Sequence, residues 1–342
     1  MSSNPWQDPR KPSWYVWQRL CLLADESRNT TMKGDAPLFA AIDLGSNAFR
    51  LMIGQSVKRN RRLVIQEVKT LREPVRLAEG LQAGALDELA LDRGWQALAR
   101  FGKKLRGFEA GRVRAVATSA VREAANAQLF LASAERHLGF RIDVLSGHEE
   151  ARLVYAGVAH TVPGVEQTRL VVDIGGGSTE LILGQGAQPL LTESIAVGSG
   201  VFGARYFAGG RITAQALLEA ERVAVLQFEG VAARYRAQGW QQVIGSSGTA
   251  RMLAKVLKAN GLNDFGRGGI TYSGLLRLSL RLLEVGHVDQ LRLAGLQRHR
   301  LGILPGGLAI MLAAFKVFGI TDMFASEAGL RFGVLHGLMH QH

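Results

Sequence analysis

Val171-Val172-Asp173-Ile174-Gly175-Gly176-Gly177-Ser178-Thr179-Glu180-Leu181-Ile182-Leu183-Gly184 is the stretch that decides how this chain is read. It has an earlier counterpart, Ala41-Ile42-Asp43-Leu44-Gly45-Ser46-Asn47-Ala48-Phe49-Arg50-Leu51-Met52-Ile53-Gly54, aligned without gaps at an offset of 130 residues. Each is an apolar run, an Asp-x-Gly bend and a second apolar run, the pattern of a β-hairpin with a carboxylate at its turn. A second echo follows in each half. Val113 to Ala117 reads as a strand running into Thr118-Ser119-Ala120-Val121-Arg122 and a helix. Gln242 to Ile244 likewise runs into Gly245-Ser246-Ser247-Gly248-Thr249-Ala250-Arg251 and a helix. Short apolar runs alternate with helical periods from Leu38 onward, so the class is α/β. The duplication predicts two similar lobes facing each other across a cleft.

Working outward, 342 residues exceed one typical domain. Residues 36–154 are expected to form lobe I and 155–325 lobe II, with a C-terminal helix at about 326–342 packing back on lobe I. Residues 1–35 read as an extension. Residues 1–31 hold three of the five tryptophans, Trp6, Trp14 and Trp17, without sustained periodicity. Either Met32 is the natural start or this segment is a docking arm. Hydrophobic residues at 47% and charged residues at 20% are ordinary for a soluble enzyme. The net charge of +12 is less so, and favours a polyanionic partner: nucleic acid, polyphosphate or an anionic membrane surface. Cys21 is the only cysteine, which excludes an intrachain disulfide and suits a reducing compartment. The apolar region Leu301 to Ile320 is broken by Pro305, Gly306, Gly307 and Lys316, and reads as a core helix rather than a membrane span. No signal peptide is recognisable.

Several residues carry chemistry. Gly175-Gly176-Gly177 lets backbone approach an anion, its N–H groups can form an anion-binding nest, and Ser178 and Thr179 add hydroxyl donors. Gly45-Ser46-Asn47 offers the same from the other lobe. Either loop would also serve as a plain tight turn. Asp43 and Asp173 would face each other across the cleft and suit a hard cation such as Mg²⁺, or else cap their own turns. In Ser146-Gly147-His148-Glu149-Glu150, Ser146 and Glu149 form a capping box, which leaves Glu150 free. Glu150 shares a helix face with Leu153, Val154 and Gly157, where desolvation would raise its pKa toward that of a general base. The alternative is a snorkelling surface glutamate. Arg122, behind Thr118 and Ser119 in the first turn of a helix, could grip phosphate oxygens or make a surface ion pair. Ser247, Gly248 and Thr249 open a similar helix. His336 and His340 have helical metal-pair spacing, but a solvated C-terminal helix fits them better. Arg59-Asn60-Arg61-Arg62 reads as a hairpin tip that could extend a polyanion track.

Taken together, these stretches resemble the exopolyphosphatase/guanosine pentaphosphate phosphohydrolase family. The matching segments are Asp43 to Asn47, Ala117 to Ala124, Ser146 to Arg152, Asp173 to Glu180 and Gly245 to Thr249, in the family's order across roughly residues 38 to 337. The resemblance implies two ribonuclease-H-like lobes, as in actin, sugar kinases and chaperone ATPases, with a cleft between them. It implies Glu150 as catalytic base. Asp173 and Glu180 match cleft carboxylates tied to metal and water positioning, and the glycine loops match phosphate binders. Opposite Glu180 in the repeat stands Arg50, so the halves are chemically unequal. Long members carry a further C-terminal helical module, so this chain looks like the short form. Glu327 and Phe332 depart from the family's usual aspartate and glutamate.

The expectation is therefore a cytoplasmic, Mg²⁺-dependent enzyme that removes terminal phosphate from inorganic polyphosphate. Glu150, Glu180 and Arg122 would be catalytic, and Asp43, Asp173 and Glu180 would be metal ligands. A homodimer is expected by likeness. The rival substrate is guanosine pentaphosphate, which needs a nucleoside pocket not visible in the sequence. A kinase lacks a recognisable acceptor site. A non-catalytic sensor is at odds with the retained carboxylates.

Overall fold

The computed structural model describes residues 36–59, 62–164, 166–264 and 269–341. The readings of residues 1–31, and of Asn60 and Arg61 at the hairpin tip, lie outside them. The first hairpin is β1 (Leu38–Leu44) and β2 (Phe49–Arg59), and β3 (Arg62–Glu73) continues antiparallel to β2. A small hairpin of β4 (Leu81–Gln82) and β5 (Ala85–Leu86) leads to α1 (Glu88–Lys104) and β6 (Val113–Ala117). Then come α2 (Ser119–Glu123), α3 (Ala127–Leu138), β7 (Ile142–Val144) and α4 (Gly147–Thr161). The sheet order is β3-β2-β1-β6-β7, with β1, β6 and β7 parallel.

The second half repeats the layout. β8 (Arg169–Ile174), β9 (Thr179–Gln185) and β10 (Gln188–Ile195) form an antiparallel meander, followed by α5 (Ser199–Tyr206) and α6 (Ala214–Gln238). Next are β11 (Gln242–Gly245), α7 (Gly248–Ala259), β12 (Ile270–Thr271), α8 (Tyr272–Val285), α9 (Leu304–Phe318), β13 (Asp322–Ala325) and α10 (Leu330–Met339). The order β10-β9-β8-β11-β13 matches the first sheet strand for strand, and β12 adds an antiparallel edge. Each half is the ribonuclease-H-like unit. The repeat also fixes register, since Asp43 pairs with Arg50 and Asp173 with Glu180.

Core packing follows the apolar runs. In α9 every residue except Lys316 is buried, so Leu301 to Ile320 does contain a core helix. Among the described residues no helix is long and apolar enough to cross a membrane. Two helices cross between the sheets. Ala151, Val154, Tyr155 and Val158 of α4 pack on Val171, Ile182 and Ile244 of the second sheet. Val334, Leu335 and Leu338 of α10 pack on Phe39, Ala41, Met52 and Val116 of the first. The two helices approach so closely that a Cβ on Gly333 would overlap the Leu153 carbonyl, and one on Gly157 the Gly329 carbonyl. We propose the two-lobe partition with α4, which spans residues 154 and 155, as the connecting helix. The C-terminal helix is not solvated as expected, because its apolar face closes the first sheet. His336 is half-buried and stacks on His160 with ring centroids 3.5 Å apart.

Candidate active site

The two Asp-Gly bends meet. A Cβ on Gly176 would lie 2.8 Å from Asn47 Cγ and 2.9 Å from Ser46 Cβ, and one on Gly177 would overlap the Ser119 hydroxyl. Only glycine allows the second loop to sit this close to the first. Ser46 Oγ and Ser119 Oγ are 2.9 Å apart, and Ser46 Oγ also accepts from Ala120 N. From the second half, Ser199 N and Gly200 N donate to the carbonyls of Gly175 and Gly176 at 2.9 Å each. One cleft is lined by Gly45, Ser46, Asn47, Thr118 and Ser119 on one side, and by Gly175, Gly176, Ser178, Ser247, Gly248 and Thr249 on the other.

Five carboxylates reach this cleft: Asp43, Glu150, Asp173, Glu180 and Glu327. Glu150 arrives there because the capping box forms: Ser146 and Glu149 satisfy each other, and α4 turns its next residue inward, 7% exposed. Ser246 Oγ donates to Asp173 Oδ2 at 2.5 Å. Ser178 and Ser194 hydroxyls donate to Glu180 Oε1 at 2.7 and 2.9 Å. Burial raises the pKa of Asp43 and Asp173, opposed by Arg331 at the first and by the Ser246 bond at the second. Burial, then the Asp173 charge, pushes Glu180 up to about 7. Burial, then the Glu180 charge, holds Glu150 well above the usual carboxylate range despite Arg122. Glu150 and Glu180 therefore act as a pair that resists carrying two charges near neutrality.

Facing them is a feature the sequence did not announce. Arg50, Arg72, Arg251, Arg300 and Arg331 line the same cleft. Arg300 Nη1 donates to the Gly248 carbonyl at 2.8 Å, and Arg331 lies 3.7 Å from Asp43. Burial, then repulsion from Arg50, draws Arg300 down to about 9 and Arg331 to about 10. Arg251 and Arg72 are lowered by the same two causes. Arginine keeps its proton at pH 7 in any case, so these shifts register like charges crowded together, a stress that an anion would relieve.

Three expectations need correcting. Thr179 does not face the cleft: strand alternation turns it inward, fully buried, to donate to the Val197 carbonyl at 2.6 Å. Arg122 does not line the cleft either. Its short helix aims it behind Glu150, where Nη1 donates to Glu150 Oε2 at 3.1 Å and to the Leu145 carbonyl at 2.9 Å. Nor do Asp43, Asp173 and Glu180 close on one point as a metal cluster. Among the described residues, no three His, Cys, Asp or Glu side chains are grouped to hold an ion. Serine hydroxyls already hold oxygens of Asp173 and Glu180.

This arrangement can bind a phosphate chain between glycine loops and arginines, with a proton-accepting carboxylate beside it. The profile of the Ppx/GppA phosphatase family matches residues 56–342. The chain belongs to that family. Among solved structures, this family member resembles the Ppx/GppA enzyme of Aquifex aeolicus at 26% identity and a TM-score of 0.69, over 88% of this chain and 100% of that one. It also resembles, in fold, an exopolyphosphatase from Cytophaga hutchinsonii at 24% identity and a TM-score of 0.78, over 89% of this chain and 98% of that one. The duplicated ribonuclease-H-like architecture is shared with these structures, and the family places its chemistry among the phosphatases.

Proposed function

We propose that the protein is an exopolyphosphatase, releasing terminal orthophosphate from inorganic polyphosphate. The observation that carries this reading is one cleft in which five arginines face the buried Glu150–Glu180 pair. The glycine loops hold the terminal phosphates, and the arginines hold the chain behind them. A water oxygen attacks the terminal phosphorus in line, and the bond to the bridging oxygen breaks. Glu150 takes the proton of the water. Orthophosphate and a chain shorter by one unit result. Arg122 fixes the carboxylate of Glu150 from the rear. Glu180, held by two serines, keeps a like charge nearby and so sustains the basicity of Glu150.

Magnesium fits Asp43 and Asp173, hard oxygen donors that line the same cleft and whose carboxyls burial holds above their ordinary pKa. Bound there with water and phosphate oxygens, it would neutralise phosphate charge. The test is orthophosphate release from polyphosphate, guanosine pentaphosphate and ATP, each with and without Mg²⁺. Fast Mg²⁺-dependent release from polyphosphate is expected. Faster release from guanosine pentaphosphate would transfer the assignment to that substrate, and no release from either would sink it.

A further inference from the structure

Behind the carboxylate pair lies a second cavity, lined by Arg122, Gly147, His148, Ser194 and Ala196 among others. Ser178 borders both this cavity and the cleft. Hydrogen-bonded pairs of side chains span the partition between them. Arg122, on the rear side, donates to Glu150 on the cleft side at 3.1 Å. Ser194, also on the rear side, donates to Glu180 at 2.9 Å. His148 and Ala196 are exposed, so the rear cavity reaches the surface.

We propose that this cavity is the exit for orthophosphate and that the Arg122–Glu150 ion pair is its gate. The inference rests on the polyphosphate reading. Cutting the last unit of a long chain leaves product at the inner end of the cleft, while the remaining chain still fills the arginine-lined front. A product that can leave only past the chain must wait for the chain to dissociate. A rear exit removes that obstruction. The gate also fits the chemistry: once Glu150 has taken the proton of the water it is neutral, and its charge-assisted bond to Arg122 weakens. The freed guanidinium then meets the oxygens of the product. Glu123 and Glu193, the latter bonded to Arg234 at 2.7 Å, also line the cavity and make it a passage rather than a store for an anion.

Two separate variants, His148→Trp and Ala196→Trp, would narrow this passage without replacing any group that touches Glu150 or Glu180. With long-chain polyphosphate and Mg²⁺, acid quenching reports all orthophosphate formed, while a fluorescent phosphate-binding sensor reports only what has left. In the wild type the two signals should rise together. In either variant the quenched signal should show a burst of about one product per site, the sensor should lag, and steady turnover should fall roughly tenfold. Tripolyphosphate, short enough to clear the front, should keep its rate within about twofold. Variants that melt like the wild type yet show no lag and full long-chain turnover would overturn the exit alone. A wild type inert to polyphosphate overturns both the exit and the reading beneath it.

Discussion

At Glu150 opposed influences compete: burial, the Glu180 charge and the Asp43 charge raise its pKa, and Arg122 lowers it. The raising influences win. A base works only when deprotonated, so activity should rise with pH through neutrality and beyond. Glu180→Gln removes the like charge, and the acid limb of the kcat/KM profile should then move to lower pH. Arg122→Gln removes the counter-charge and should move it to higher pH. Limbs that do not shift in opposite directions would contradict the pairing. Glu150→Gln should cut turnover by roughly 10²–10⁴-fold with polyphosphate binding retained. Stability carries its own sign. Glu180 titrates at an ordinary 4.5 when unfolded and at about 7 when folded, so its burial costs nothing below the first value and progressively more as pH rises through the second. Glu180→Gln should therefore melt higher than the wild type at pH 8 and no higher at pH 4, as measured by thermal denaturation.

Among the elements, the loops and the crossing helices carry the tightest contacts. Gly176→Ala would push the second loop off Asn47 and Ser46, and should cost well over tenfold in activity with little change in melting temperature, since the strands on either side are untouched. Gly333→Ala, where a methyl would enter the Leu153 carbonyl, should destabilise the fold by about 1–3 kcal/mol, read by chemical denaturation. The hairpins and the helix start at Ser146 were legible because each is a local pattern: an alternating run, an Asp-Gly bend, a capping box. The packing of α10 on the first sheet was legible only as an outline, and its histidines were misjudged because helical spacing does not say which face meets a neighbour. β12, two residues long, is too short to show a period. Arg122 was found by type but not by direction, which depends on how the five-residue α2 leaves β6.

For the molecule as a whole, the net charge of +12 hinted at a polyanion but not at where it lies. Arg50, Arg72, Arg251, Arg300 and Arg331 come from separate elements and loops, with no common spacing, so only folding brings them together. A double variant, Arg72→Ala with Arg300→Ala, should weaken polyphosphate binding. It should also flatten the dependence of binding on salt, because fewer screened contacts remain to be lost. An unchanged salt slope in a titration series would place the chain elsewhere. The exchange of helices between the sheets matters before there is any activity at all. During synthesis the first sheet is finished early, yet the helix that covers Phe39, Ala41 and Met52 emerges only after the entire second sheet. A nascent chain must therefore shield an uncovered greasy face for most of its translation, and a fragment cut before α10 would be expected to seek chaperones or clump rather than fold alone.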